Sequence, residues 1–219
     1  RILDIGSGSG LHSLAAWRLG ADVTSFDYDP DSVGCTRALQ QRFAAGDARW
    51  RVLGQGSVLD APFMASLGAF DIVYSWGVLH HTGALRKAIA NAVARVRPGG
   101  TLAIALYNDQ GWISDYWIAV KRRYNAGAIG RALMTVGHLP YLGARIAVRT
   151  LRGQLALERG MSLWHDYVDW LGGWPFEVAS PAAVASWVAP QGFRLERQFL
   201  VGRRQGCNEF VFVHRPATA

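Results

Sequence analysis

A glycine-rich turn set between an apolar run and a helical stretch limits this chain to few architectures. Asp4-Ile5-Gly6-Ser7-Gly8-Ser9-Gly10 follows strand-like residues 1–5 and opens a helical stretch at residues 11–19. Glycines let such a turn tighten and let a ligand approach the main chain closely. The helix behind it offers unpaired N–H groups and the positive end of its dipole. A dinucleotide fingerprint spaces its glycines G-x-G-x-x-G. Here the third glycine comes one place earlier, at Gly10, and Leu11 stands at the dinucleotide position. That spacing argues against an NAD-dependent dehydrogenase. Asp27 lies 21 residues after Gly6, at the end of the second strand-like run. A carboxylate placed there can accept both ribose hydroxyls of a bound nucleoside. The bland alternative, a plain turn with a solvated acid, explains neither the spacing nor the flanking pattern.

Strand and helix signals alternate over the first 107 residues. Residues 21–26, 50–53, 70–75 and 101–107 read as strands, and residues 31–43 and 83–96 as helices. Ile89, Val93 and Val96 share a helical face, and Pro98-Gly99-Gly100 ends that helix. Residues 101–107 are continuously apolar, as in a strand buried on both faces. Such alternation implies parallel βαβ units with right-handed crossovers. The rhythm fails over residues 108–180, which read as mostly helical without a clear strand. It resumes with a helix at residues 181–188 and strands at 193–201 and 209–214.

Composition narrows the class. The chain has 219 residues, 50% of them hydrophobic, enough for one sizeable core or one domain with a large insertion. No apolar run approaches the roughly 20 residues that span a bilayer, and no signal peptide is visible, so a cytoplasmic location is expected. The chain begins inside a strand-like segment, residues 1–5, so a segment upstream of it is expected. Cys35 and Cys207 form neither a disulfide framework nor a zinc pattern, and both read as core thiols. The net charge of +7 points to an acidic partner or surface.

At this point the chain resembles the class I S-adenosylmethionine (SAM)-dependent methyltransferases, and among them the ubiquinone/menaquinone-biosynthesis-type small-molecule enzymes. Leu3-Asp4-Ile5-Gly6-Ser7-Gly8-Ser9-Gly10 is similar to their motif I, and Phe26-Asp27-Tyr28-Asp29 to their acidic motif II. The stretch Gly56-Ser57-Val58-Leu59-Asp60-Ala61-Pro62-Phe63 resembles the loop that brackets adenine. Phe70 to Trp76 resembles the fourth strand, Leu79-His80-His81 the turn after it, and Arg97-Pro98-Gly99-Gly100 the turn before the fifth. The resemblance implies a Rossmann-like α/β fold: a seven-stranded, mostly parallel sheet with an antiparallel last strand, and a helical insertion before the last two strands. Residues 1–107 would form the SAM-binding core, 108–180 an aromatic-rich lid or substrate region, and 181–219 the segment completing the sheet. It further implies that Gly6, Ser7, Gly8 and Gly10 pass under the methionine and ribose parts. Asp4 would orient the amino group, Asp27 hold the ribose and Tyr28 flank the adenine. Ser57, Val58 and Ser75 join the cofactor set. Many relatives carry an acid where Ser57 stands, and Asp60 is a possible substitute for it.

Methyl transfer is an in-line displacement in which the cofactor is reactive and the protein aligns the acceptor and handles its proton. The Asn/Asp-Pro-Pro-Tyr/Phe signature of amino-group methylation is absent; the chain has Ser75-Trp76-Gly77-Val78. No cysteine falls where a nucleophile would be needed. The acceptor-side candidates are His81, Tyr107, His165 and Asp169, with His80 and Asp166 beside them. His81 also reads as a packing residue at a helix entry. His165 and Asp169 are four apart, on one helical face, and read equally as a surface pair. Asp109, Asp166 and Asp169 are the carboxylates that could converge on a metal, and none is expected to bind one.

Residues 107–176 hold eleven aromatics, which suit either a lid over a flat, apolar acceptor or a satellite core. Residues 121–152 hold seven basic residues and no acid. Ala144, Val148, Leu151 and Leu155 share a helical face, with Arg145, Arg149 and Arg152 alongside. Such a helix lies on an anionic membrane, grips phosphates, or is a solvated face. Methyl transfer to an oxygen of a small acceptor, with nitrogen second, is the leading expectation. An RNA or protein methyltransferase using the basic stretch, and a catalytically silent SAM-binding protein, are the alternatives.

Overall fold

A computed structural model describes residues 1–151, 153 and 163–215. Arg152 and Leu155 of the basic amphipathic face lie outside the described residues. The chain forms two compact units, Arg1–Asp109 with Glu177–Ala219, and Gln110–Phe176. In order, the chain runs β1 (Ile2–Ile5), α1 (Leu11–Arg18), β2 (Val23–Asp27), α2 (Pro30–Ala44), β3 (Trp50–Gln55), α3 (Ala61–Ser66), β4 (Phe70–Trp76), a 3-10 turn (Leu79–His81), α4 (Leu85–Val93) and β5 (Val96–Tyr107). It continues through α5 (Trp112–Asn125), α6 (Ala128–Gly137), α7 (Leu139–Leu151) and α8 (Leu163–Gly172) of the second unit. It then returns as α9 (Pro181–Val188), β6 (Phe193–Phe199) and β7 (Cys207–His214).

The first unit is a seven-stranded sheet of order β3-β2-β1-β4-β5-β7-β6. Strands β1 to β5 are parallel, and β7 runs antiparallel between β5 and β6. The expected Rossmann-like sheet with an antiparallel last strand is therefore the observed one. Strand order reverses between β1 and β4. Open α/β sheets bind ligands outside the carboxyl ends of the strands at such a switch point.

Alternation along the strands sorts residues onto two faces. On one face Val73, Leu102, Ile104, Phe210 and Phe212 pack with Ile89 of α4 and Val184 and Val188 of α9. Each such side chain, fully buried, stabilises by about 1.5–3 kcal/mol before entropy is counted. On the other face Leu14 of α1, Val23, Ala44 and Trp50 form a smaller cluster.

Several boundaries differ from expectation for local reasons. Helix α4 is shorter than residues 83–96: Gly83 is left-handed at φ 74°, and Val96 already belongs to β5. β5 is longer than residues 101–107. Pro98 falls where the register with β4 shifts between Phe70 and Ile72, so its missing N–H breaks no regular ladder. Helix α3 begins inside the stretch that resembles the adenine loop: Asp60 accepts the Phe63 N–H as its N-cap and Pro62 sits in its first turn. The cysteine reading needs correction: Cys35 is exposed and Cys207 half-buried. The buried face of α2 carries Val33, Thr36 and Ala44, and the helical period turns residue 35 to solvent.

The second unit is helical, and its aromatics build a core of their own. Trp117, Tyr124, Tyr167 and Phe176 are buried, and Trp117 meets Trp170 edge-on at 5.3 Å. Tyr167 donates its hydroxyl to the Thr135 carbonyl at 2.6 Å. Lys121 is buried among them. Its ammonium lies 4.0 Å from the Trp170 ring centre and 4.8 Å from that of Phe176, and donates to the Trp170 carbonyl. Burial holds its pKa down at about 8. Among the described residues no helix is long and apolar enough to cross a membrane.

Candidate functional site

The glycine turn joins β1 to α1, and its shape follows from three left-handed glycines, Gly6, Gly8 and Gly10, at φ 77°, 53° and 80°. Two of its amides, those of Gly6 and Ser7, donate to the Phe26 carbonyl at 3.0 and 3.1 Å, which fastens the turn to the end of β2. Gly8 N–H donates to Asp27 Oδ2 at 2.8 Å, and Asp29 N–H to Asp27 Oδ1 at 2.9 Å. The half-buried Asp27 is thus oriented by both its oxygens. A carboxylate has about four lone-pair sites, so each oxygen keeps acceptor capacity. Gly10 is the N-cap of α1 and supplies no side-chain cap.

Behind the turn, hydroxyl groups order the polar interior. Thr36 Oγ1 donates to the Gly8 carbonyl at 2.9 Å, so in its 2.9 Å contact with Ser7 the Ser7 hydroxyl is the donor. A second chain runs one way: Trp50 Nε1 donates to Ser25, Ser25 to Ser13, and Ser13 to Asp4 Oδ2 at 2.5 Å. Each hydroxyl has one proton, and the indole can only donate, which fixes the direction. Burial nevertheless dominates Asp4. It raises the carboxyl pKa to about 6, with the Asp27 charge adding to the rise and the Ser13 bond opposing it. Thr36, Ser13, Ser25 and Trp50 were not singled out from the sequence. Lone hydroxyls on helices and strands carry no spacing signal until the fold brings them together.

On the adenine side, Ser57 accepts the Leu59 N–H through its hydroxyl at 3.2 Å. Val58 is buried in the core, and its carbonyl accepts the Asn91 side-chain amide at 2.8 Å. The Asp60 carboxylate caps α3, which weakens it as a substitute for the missing acid. Tyr28 is exposed at the end of β2. Ser75 is fully buried, and its hydroxyl donates to the Ile5 carbonyl at 2.9 Å, tying β4 to β1.

The acceptor-side candidates divide between the units. His81 follows β4 and Tyr107 ends β5; both are half-buried, with ring centres 5.4 Å apart. His80, fully buried, lies against both. His165 and Asp169 are exposed on α8 of the second unit, and Asp166 pairs with Arg145 at 3.0 Å. Among the described residues no group of three or more His, Cys, Asp or Glu side chains is arranged to hold a metal ion.

Residues 3–104 match the methyltransferase domain family. The chain is 39% identical over 106 residues to the tRNA U34 carboxymethyltransferase of Methylococcus capsulatus, covering 48% of this chain and 31% of that protein. It is 34% identical over 109 residues to the ubiquinone biosynthesis O-methyltransferase of Sinorhizobium fredii, covering 49% and 41%. It therefore spans less than half the length of either relative. In solved structures the fold is similar to magnesium protoporphyrin IX methyltransferase from Synechocystis PCC 6803 with bound SAH. That match has a TM-score of 0.58 at 15% identity, over 97% of this chain and 73% of that one. An O-methyltransferase family protein from Burkholderia thailandensis gives a TM-score of 0.61 at 17% identity, over 100% and 51%.

Proposed function

The chain carries a methyltransferase domain on a class I Rossmann-like fold, and on that premise we propose that it binds SAM and methylates an oxygen of a small aromatic or apolar acceptor. The observation that carries this reading is the clasp between Gly8 N–H and Asp27. It joins the turn after β1 to the acid at the end of β2. Asp27 would hold the ribose hydroxyls, and Gly6, Ser7, Gly8 and Gly10 would let the main chain run close beneath the ligand. Asp4, as its carboxylate, would attract the ligand's ammonium. Tyr28 and Ser57 would flank the adenine, with Val58 fixing the loop from within.

When bound, SAM supplies a sulfonium methyl as the electrophile. The protein has then to align the acceptor and receive its proton. His81 and Tyr107 would do so in this reading, since an imidazole beside a phenolic ring suits an acceptor hydroxyl. His165 and Asp169 remain a second proton-handling pair in this reading, on the second unit. Nitrogen is the second acceptor atom we consider. Arg122, Arg123 and Arg131 are exposed near Ile129, Leu133 and Val136, which are also exposed. This supports contact of the basic stretch with an anionic surface, whether membrane or nucleic acid.

The test is transfer of a labelled methyl from SAM to three acceptor sets: phenols and quinols, primary amines, and total RNA. The expected product is an O-methyl ether from the first set. Label entering RNA alone would move the assignment to the nucleic-acid reading, and SAM binding without label in any set to a silent binding protein.

A further inference from the structure

His80 sits between the two acceptor-side candidates, and its surroundings fix it unusually firmly. The ring is fully buried. Its Nδ1 lies 3.2 Å from the Tyr107 backbone nitrogen. A backbone N–H can only donate, so Nδ1 is the acceptor, the ring proton sits on Nε2, and the ring is neutral. The ring centres of His80 and Tyr107 are 3.9 Å apart, and those of His80 and His81 are 4.5 Å apart. The main chain is held too. His80 O accepts the Glu177 N–H at 2.9 Å, and Tyr107 O accepts the Ala179 N–H at 3.1 Å. Glu177 then places both carboxylate oxygens 3.0 and 3.1 Å from the Leu85 N–H at the start of α4. Residues 177–179, where the chain re-enters the first unit, form a strap across the ends of β4 and β5.

We propose that His80 is a positioning residue: with the 177–179 strap it sets the angle between the Tyr107 phenol and the His81 imidazole, and so determines how an acceptor hydroxyl meets them. His80 itself touches neither acceptor nor cofactor. The proposal rests on the methyltransferase reading for its kinetic consequence, but its geometric half stands independently. Small displacements of an aligned group cost rate steeply, roughly 100-fold for about 1 Å. His80→Phe keeps a ring but loses the acceptor for Tyr107 N–H. His80→Asn keeps an acceptor oxygen close to the Nδ1 position.

The experiment compares wild type, His80→Phe and His80→Asn in the full chain. It reads SAM affinity by calorimetry, kcat and KM with the phenol or quinol that takes most label in the transfer test, and nitrogen spectra of histidine-labelled wild type. SAM affinity is expected to be unchanged in all three. In His80→Phe, kcat should fall roughly 10- to 100-fold, while His80→Asn should stay within about threefold of wild type because it still accepts the amide. The His80 Nδ1 resonance should remain that of an unprotonated nitrogen between about pH 5 and 8. A His80→Phe protein that binds SAM and turns over at the wild-type rate would overturn the proposal. So would equal losses in the two variants, or a protonated Nδ1. Wild type that binds no SAM would instead sink the cofactor reading, and the nitrogen spectrum would then decide the proposal alone.

Discussion

Gly8 and Gly10 share a left-handed backbone but differ in what surrounds them, and that difference separates folding from binding. A Cβ on Gly10 would stand 3.0 Å from the Thr36 Cα and 3.2 Å from its Oγ1 and Cγ2. Thr36 is buried, and its hydroxyl holds both Gly8 and Ser7, so α2 has to move away from the turn. A left-handed alanine costs about 1–2 kcal/mol, and crowding a packed site about 1–3 kcal/mol more. Gly10→Ala should therefore lose about 2–5 kcal/mol, a large part of the roughly 5–15 kcal/mol that stabilises a domain. A Cβ on Gly8 meets nothing within 4 Å. Gly8→Ala should lose only the backbone part, about 1–2 kcal/mol, yet weaken SAM binding by crowding a ligand beneath which the main chain runs. The assay is thermal unfolding with calorimetric SAM titration at a temperature where both variants are folded. At about 2–4 °C per kcal/mol, the Gly10 variant should melt about 4–20 °C below wild type and the Gly8 variant clearly less. If Gly8→Ala is the less stable of the two, or binds SAM as wild type does, the reasoning fails.

Three more outcomes follow from the buried polar groups. Asp4 has a folded pKa of about 6 against 3.8 in the free side chain. The folded state thus binds more protons than the unfolded chain in that window, and stability falls as pH rises through it, by on the order of 3 kcal/mol. Asp4→Asn should flatten that part of a urea-denaturation pH series, and wild type should bind SAM more weakly at pH 5 than at pH 7.5, where the carboxylate is formed. Lys121 is shifted down, from 10.5 to about 8. The unfolded chain binds the extra proton between those values, so stability rises with pH there, and Lys121→Met should abolish the rise in tryptophan-monitored unfolding. Ser75→Ala leaves the Ile5 carbonyl without its side-chain donor and should cost about 1–3 kcal/mol in denaturant unfolding, with SAM affinity retained because the hydroxyl ties strands together.

The α/β class was legible because its signals are local. A glycine turn after a short strand-like run, an acid at the end of the next strand and the Pro98-Gly99-Gly100 breaker each report their own few residues. Seven strands could be counted from alternation alone. Helix α3 escaped because Asp60 and Pro62 were read as adenine-loop residues, although together they also make an N-terminal cap. The chain of Trp50, Ser25, Ser13 and Asp4 could not be read at all. It crosses three strands and a helix, and each member is ordinary where it stands. Glu177 was missed for the same reason: it caps a helix that begins 92 residues earlier. For Ser75 the sequence carries no sign of the bond its hydroxyl makes to the Ile5 carbonyl, which exists only once β4 pairs with β1.

The central claim is that the glycine turn and Asp27 form one nucleoside-binding site. Calorimetric titration of SAM into wild type and Asp27→Ala, with NADH as control, tests it most directly. The account predicts micromolar binding by wild type, roughly −8 kcal/mol, a loss of tenfold or more in Asp27→Ala as the ribose loses a charged acceptor worth about 1.5–3 kcal/mol, and no heat from NADH. Equal affinity of the two proteins for SAM, or binding of NADH in its place, would contradict it.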